Sequence, residues 1–216
     1  KHLLDTASKF KQHVEFVGQG IEYNMLKDKL HTLRDYLNTV DDEKLIICID
    51  GYDTLINSDL KKLETIYEQS QTQIIISAER LFTYQWGNYK DKFEKLQSPY
   101  KYVNSGTLVG KSKYLKKMLE ECLELSLTNP TSIDQGLVGI WVYNNIDDPK
   151  KVKLDTGCTI TWVVSDEWGQ LKKLSDNWPI VNPYTNTTPL IIHSPGNKAQ
   201  YHFECFQEAY KNIMRK

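Results

Sequence analysis

Short apolar runs organise this chain: Leu45-Ile46-Ile47-Cys48-Ile49, Gln73-Ile74-Ile75-Ile76-Ser77 and Pro189-Leu190-Ile191-Ile192-His193. Uninterrupted aliphatic runs of this length, bounded by charged or turn-forming residues, fit strands covered on both faces. Between them the period changes. Residues 25–38 carry Met25, Leu26, Leu30, Leu33 and Leu37 on one side, as an amphipathic helix does. Ser58 is placed to cap a helix reaching residue 69. Helical patterns also cover residues 2–12, 112–126, 132–143 (after Pro130) and 197–214, and strands are expected at 14–18, 102–110, 152–155 and 159–164. A loop rich in Asn, Pro and Thr spans 176–189. The alternation predicts an α/β fold, a mainly parallel sheet layered by helices, less regular in its C-terminal half.

Composition narrows the function classes. With 216 residues, 40% of them hydrophobic, the chain can bury a real core and reads as a single domain over 1–216. A net charge of −1 gives no broad footprint for nucleic acid or an anionic membrane, so partners must be recognised locally. Cys48, Cys122, Cys158 and Cys205 form no CxxC pair, which disfavours a zinc ribbon or a thioredoxin-type motif. No apolar run approaches the roughly 20 residues needed to span a bilayer, and no signal-peptide pattern opens the chain, so a soluble domain is expected.

Two strand ends carry the chemistry. The first run ends in Asp50-Gly51-Tyr52-Asp53, which would place two carboxylates where α/β sheets hold ligands, outside the carboxyl ends of their strands. Such a pair suits a hard divalent cation that also grips phosphate oxygens, or else Asp50 caps a turn and Asp53 starts the next helix. The last run mirrors it, ending in His193 before Ser194-Pro195-Gly196-Asn197-Lys198. A glycine-containing turn that runs into a helix, with a lysine nearby, can bring backbone N–H groups and a cation to phosphate.

Asp50-Gly51-Tyr52-Asp53, Ser77-Ala78-Glu79, Asn104-Ser105-Gly106, Asp134-Gln135, Leu154-Asp155 and Leu190-Ile191-Ile192-His193-Ser194-Pro195-Gly196 follow one another in a familiar order. In that order and approximate spacing, over nearly its whole length, the chain resembles the glycosyltransferase domain of the multifunctional procollagen lysyl hydroxylases. The resemblance implies a Rossmann-type GT-A fold, Mn²⁺ dependence, UDP-glucose as donor and galactosyl-hydroxylysine of collagen, or of a collagen-like polypeptide, as acceptor. It implies Asp50, Asp53 and His193 as metal ligands, and Tyr52, Lys27, Gly196 and Lys198 in the donor site. Asn104 and Asp134 would lie near the transferred sugar or the acceptor, Glu79 and Trp86 at the same edge.

The chain also departs from that pattern. Thr131-Ser132-Ile133 stands where the family has a run of acids, and Ser194-Pro195 alters the phosphate turn. The strand with which GT-A domains begin is not recognisable before residues 2–12, which read as the helix after it. These departures keep open a glycan- or collagen-binding module of the same fold, or a transferase that uses UDP-galactose. A dehalogenase-like phosphatase is disfavoured, because its second acid would fall at Tyr52. The implied location is the lumen of the secretory pathway for a cellular protein, and the host cell or the virion for a viral one.

Overall fold

The computed structural model describes residues 1–22, 28–83, 89–129, 133–196 and 200–215. In chain order it forms α1 (His2–Lys9), α2 (Asp28–Leu37), β1 (Leu45–Ile49), β2 (Thr54–Ile56), α3 (Lys62–Ser70), β3 (Ile74–Glu79), α4 (Asp91–Glu94), β4 (Tyr102–Lys111), α5 (Ser112–Thr128), α6 (Asp134–Asn145), β5 (Val152–Asp155), β6 (Thr161–Val163), α7 (Trp168–Leu174), β7 (Ile191–His193) and α8 (Gln200–Arg215).

The strands make two sheets, one ordered β1-β4-β3-β5 and the other β2-β7-β6. β1, β3 and β5 share a direction, but β4 lies between β1 and β3 and runs against both. The α/β class therefore holds, while the sheet is mixed rather than mainly parallel. A strand buried on both faces shows the same aliphatic run whichever way it points, so the sequence pattern does not carry its direction. In the second sheet β7 runs antiparallel to β2 and parallel to β6. The pairing of β3 with β4 slips between Ile76↔Leu108 and Ala78↔Val103, so β4 bulges over residues 104–107.

One face of the larger sheet, with Ile74, Ile76, Val103 and Leu108, packs on Leu115, Met118 and Leu119 of α5 and on Leu137, Val138 and Trp141 of α6. On the other face Ile75 and Val109 meet Leu63 and Tyr67 of α3 together with Ile191. The next residue, Ile192, points the opposite way and joins Leu55, Trp162 and the α8 residues Phe206, Ala209 and Ile213. The two sheets are thus joined through a shared apolar layer, and each fully buried aliphatic side chain in it contributes about 1.5–3 kcal/mol.

Some expected elements differ. Residues 14–18 form no strand, although Val14 packs with Ile49 and Leu60 around Leu3, Ala7 and Ile56. Among the described residues no strand pairs with β1 on the side away from β4, and all of β1 is half-buried. Ser58 does not cap α3; its hydroxyl turns to Pro189 O at 3.4 Å, and Asp59 Oδ1 instead accepts the Lys61 N–H at 3.0 Å. No helix among the described residues is long and apolar enough to cross a membrane.

Asp155 makes the link between the sheets. It ends β5 at 6% exposure, and its carboxylate accepts the Thr159, Ile160 and Thr161 N–H groups and the Thr159 hydroxyl, each at 2.8 Å, turning the chain toward β6. Asp155→Ala would strand those donors, at an expected cost of about 3 kcal/mol or more. Urea unfolding should show a lower midpoint at unchanged slope; a loss below about 1 kcal/mol would contradict this role.

Candidate active site

The chain leaves one sheet and enters the other at residues 50–53. The Asp50 N–H still donates to Gly106 O at 3.0 Å, continuing the β1–β4 ladder, and β2 begins with Thr54 opposite His193 of β7. The Ser194 N–H then donates to Asp53 O at 2.8 Å. The backbone pairing itself brings the end of β7 against the turn between the acids.

His193 is 1% exposed, and its ring lies over Gly106 so closely that a Cβ there would be 2.1 Å from Cε1. Its Nδ1 is 3.1 Å from Asn104 Oδ1, which also accepts the Gly106 N–H at 2.9 Å. An oxygen that accepts from the backbone can only accept from the ring as well, so Nδ1 carries a proton and Nε2 is the nitrogen left to face the acids. That Nε2 is buried without a hydrogen bond, 3.5 Å from Asp50 Oδ2 and 3.5 Å from Asp53 Oδ1. Burial works to lower the histidine's pKa, but Asp53 and Asp50 outweigh it and hold the ring above its ordinary 6.5.

The ligand atoms of Asp50, Asp53 and His193 lie within 4.8 Å of one another. Around a small hard cation with bonds of about 2.1 Å, neighbouring ligands sit about 3 Å apart, so the 3.5 Å separations need close by only about 0.5 Å. Two carboxylates and an imidazole whose buried Nε2 lacks a hydrogen bond could hold a divalent cation once that nitrogen is deprotonated.

Lys29, in the first turn of α2, ties this cluster to α6. Its ammonium donates to Asp50 Oδ1 at 2.7 Å and to Ser105 O at 3.2 Å, and lies 3.0 Å from Asp134 Oδ2. Burial opposes its charge, yet Asp50 and then Asp134 raise its pKa, so it stays a cation. Asp134 opens α6 at 8% exposure and also accepts the Ser105 hydroxyl at 2.8 Å. Gln135 forms the next link: its Nε2 donates to Glu79 Oε1 at 2.6 Å and its Oε1 accepts from Asn104 Nδ2 at 3.3 Å. Glu79, 3% exposed, takes further hydrogen bonds from the Thr83 hydroxyl at 2.7 Å and the Ser165 hydroxyl at 3.3 Å. Burial pushes its carboxyl above the usual range.

Asp50, Asp53, His193, Asn104, Asp134 and Glu79 thus belong to one connected network. Tyr52, 95% exposed at the tip of the turn, holds its ring in solvent rather than packed against the protein. Gly196 takes a left-handed φ of +71°, which favours glycine, in the turn after His193. Lys27, Lys198 and Trp86 lie outside the described residues. The sequence reading missed Lys29 and Gln135. Lys29 had no distinguishing signal, being one of two lysines two residues apart, whereas Gln135 stood beside Asp134 in a motif already singled out.

The family model described as PLOD GT domain matches residues 1–212. Comparison with curated protein sequences gives no match. Among solved structures, a glycosyltransferase involved in the glycosylation of the major capsid of PBCV-1 superposes with a TM-score of 0.56 at 12% identity, over 97% of this chain and 91% of that one. Mouse xyloside xylosyltransferase 1 in its apo form gives 0.48 at 14% identity, over 78% of this chain, which spans 64% of the xylosyltransferase's length. The galactosyltransferase LgtC in complex with donor and acceptor sugar analogues gives 0.48 at 16% identity, over 89% and 70% of the two chains. The family match over nearly the whole chain and the fold shared with the capsid glycosyltransferase agree: this chain belongs to the PLOD GT domain family and is a glycosyltransferase domain of GT-A fold.

Proposed function

We propose that this domain transfers glucose from UDP-glucose to galactosyl-hydroxylysine of collagen or a collagen-like polypeptide, with Mn²⁺ held by Asp50, Asp53 and His193. The observation that carries the reading is the unpartnered Nε2 of a 1% exposed His193, aimed between two carboxylates, with its Nδ1 held by Asn104. Family membership supports the donor and acceptor.

When bound, the cation supplies charge neutralisation for the departing diphosphate. The chain's own groups divide the remaining work. Asn104 orients His193. Lys29 holds one oxygen of Asp50, leaving the other toward His193. Tyr52 offers an exposed ring to the uridine, while Lys27, Lys198 and the Gly196 turn serve the nucleotide and its phosphates.

An α-linked donor giving an α linkage retains configuration. A double displacement would need a free carboxylate beneath the sugar, but Asp134 has one oxygen committed to Lys29 and Ser105. That engagement favours Asp134 as a fixed acceptor for a sugar hydroxyl, and transfer on one face.

The test is UDP release from UDP-glucose and UDP-galactose, with and without Mn²⁺, using galactosyl-hydroxylysine as acceptor. Mn²⁺-dependent, acceptor-stimulated release with UDP-glucose is expected. Mn²⁺-dependent UDP binding without turnover would contradict transfer and favour a binding module. Asp53→Ala should lower turnover by about 10²–10³-fold with unfolding unchanged, and undiminished Mn²⁺-dependent turnover would sink the metal assignment. Asp134→Asn should cut kcat by about 10²-fold and leave UDP affinity intact, whereas equal losses in both would place Asp134 in the donor site.

A further inference from the structure

One residue beyond Glu79, the same sheet edge carries a second group of side chains outside the metal site. The Arg80 guanidinium lies 4.6 Å over the Tyr184 ring, with Nη1 3.5 Å from Asp166 Oδ1 and 3.6 Å from Glu167 Oε1. Glu167 is the buried anchor: its carboxylate accepts the Tyr100 hydroxyl at 2.5 Å and the Ser165 and Asp166 N–H groups at 2.9 and 3.1 Å. Tyr184 is held from its own loop, because Asn182 Oδ1 accepts the Tyr184 N–H at 2.9 Å and Asn182 N–H donates to Thr187 O at 2.8 Å. Despite these hydrogen bonds Tyr184 is 46% exposed and the Asp166 side chain 45%, and Leu81, next to Arg80 in the chain, is 41% exposed.

The location joins this rim to the reaction. Val163 pairs with His193, the Val164 N–H donates to His193 O at 2.8 Å, and Ser165 reaches Glu79. Asp166 follows Val163 by three residues, a chain span of at most about 11 Å. A pyrophosphate belongs on the cation side, and the Asp166 and Glu167 carboxylates repel one here. A basic peptide would meet Arg80. What fits a half-exposed aromatic ring covered on one face by a guanidinium, with a carboxylate paired to that guanidinium, is a neutral molecule with an apolar C–H face and a rim of hydroxyls.

We infer that Tyr184 and Asp166 form the acceptor subsite, braced by Arg80, receiving the saccharide of the acceptor with its C–H face on the side of the Tyr184 ring away from Arg80 and its hydroxyls on Asp166. The inference deepens the proposed transfer reaction and rests on it for the identity of the saccharide.

The test titrates galactosyl-hydroxylysine, and hydroxylysine without the sugar, into the protein by NMR with UDP and Mn²⁺ present, measuring UDP affinity separately. Arg80 stays unaltered because it pairs with buried Glu167. Tyr184→Ala should weaken galactosyl-hydroxylysine binding about tenfold, Tyr184→Phe should retain it, and Asp166→Asn should weaken it about fivefold, with UDP affinity unchanged in each. Hydroxylysine without galactose should bind more weakly than the glycosylated form. Equal affinity of wild type and Tyr184→Ala, no binding of galactosyl-hydroxylysine to wild type, or equal binding of the sugar-free amino acid would overturn the subsite. Failure of wild type to bind UDP with Mn²⁺ is a separate result that overturns the donor reading, since acceptor binding is read directly.

Discussion

The close approach of the His193 ring to Gly106 is the constraint on which the rest of the site depends. A Cβ at residue 106 would lie 2.1 Å from Cε1 and 2.5 Å from Nδ1, so the ring can seat only over a glycine. Seated there, it meets Asn104 with Nδ1 and turns Nε2 toward Asp50 and Asp53. The bulge in β4 over residues 104–107 makes this possible, lifting Asn104, Ser105 and Gly106 out of register with β3 where the two sheets meet. Fold and chemistry share one joint: the turn that carries the acids also passes the chain from one sheet to the other.

Electrostatics keep that joint from flying apart. Several acids converge at one sheet edge, and buried like charges are costly unless each is paired or hydrogen-bonded. Lys29 sits between Asp50 and Asp134, and Gln135 carries Glu79 back to Asn104. The pairing is asymmetric: Lys29 takes one oxygen of Asp50, and His193 remains without a hydrogen bond at Nε2. The buried Nε2 of His193 thus faces two carboxylates without a hydrogen bond, an arrangement that suits a group supplying positive charge there.

Much of this was legible in the sequence, and the parts that were not have physical reasons. Leu45–Ile49, Ile74–Glu79 and Ile191–His193 declare themselves because burial on both faces requires unbroken aliphatic runs, and their ends place Asp50, Asp53, Glu79 and His193 on one edge. The antiparallel insertion of β4 is invisible because direction leaves no mark on such a run. Residues 14–18 have a strand's composition but no ladder partner among the described residues, and composition alone does not supply one. β2, three residues long, is too short to give a periodic signal, although its register with β7 brings His193 to the acids. Asn104 was singled out through the resemblance alone, and its contact with His193 Nδ1 depends on a bulge that local pattern does not encode.

If the Gly106 clearance seats His193 as a metal ligand, calorimetric titration of Mn²⁺ with UDP present will separate wild type from Gly106→Ala. A Cβ at residue 106 should displace the ring and weaken Mn²⁺ binding by about 10–100-fold, with circular dichroism unchanged. Equal Mn²⁺ affinity in the two proteins would contradict the account, because the cation would then be held without the imidazole that the fold is built to present.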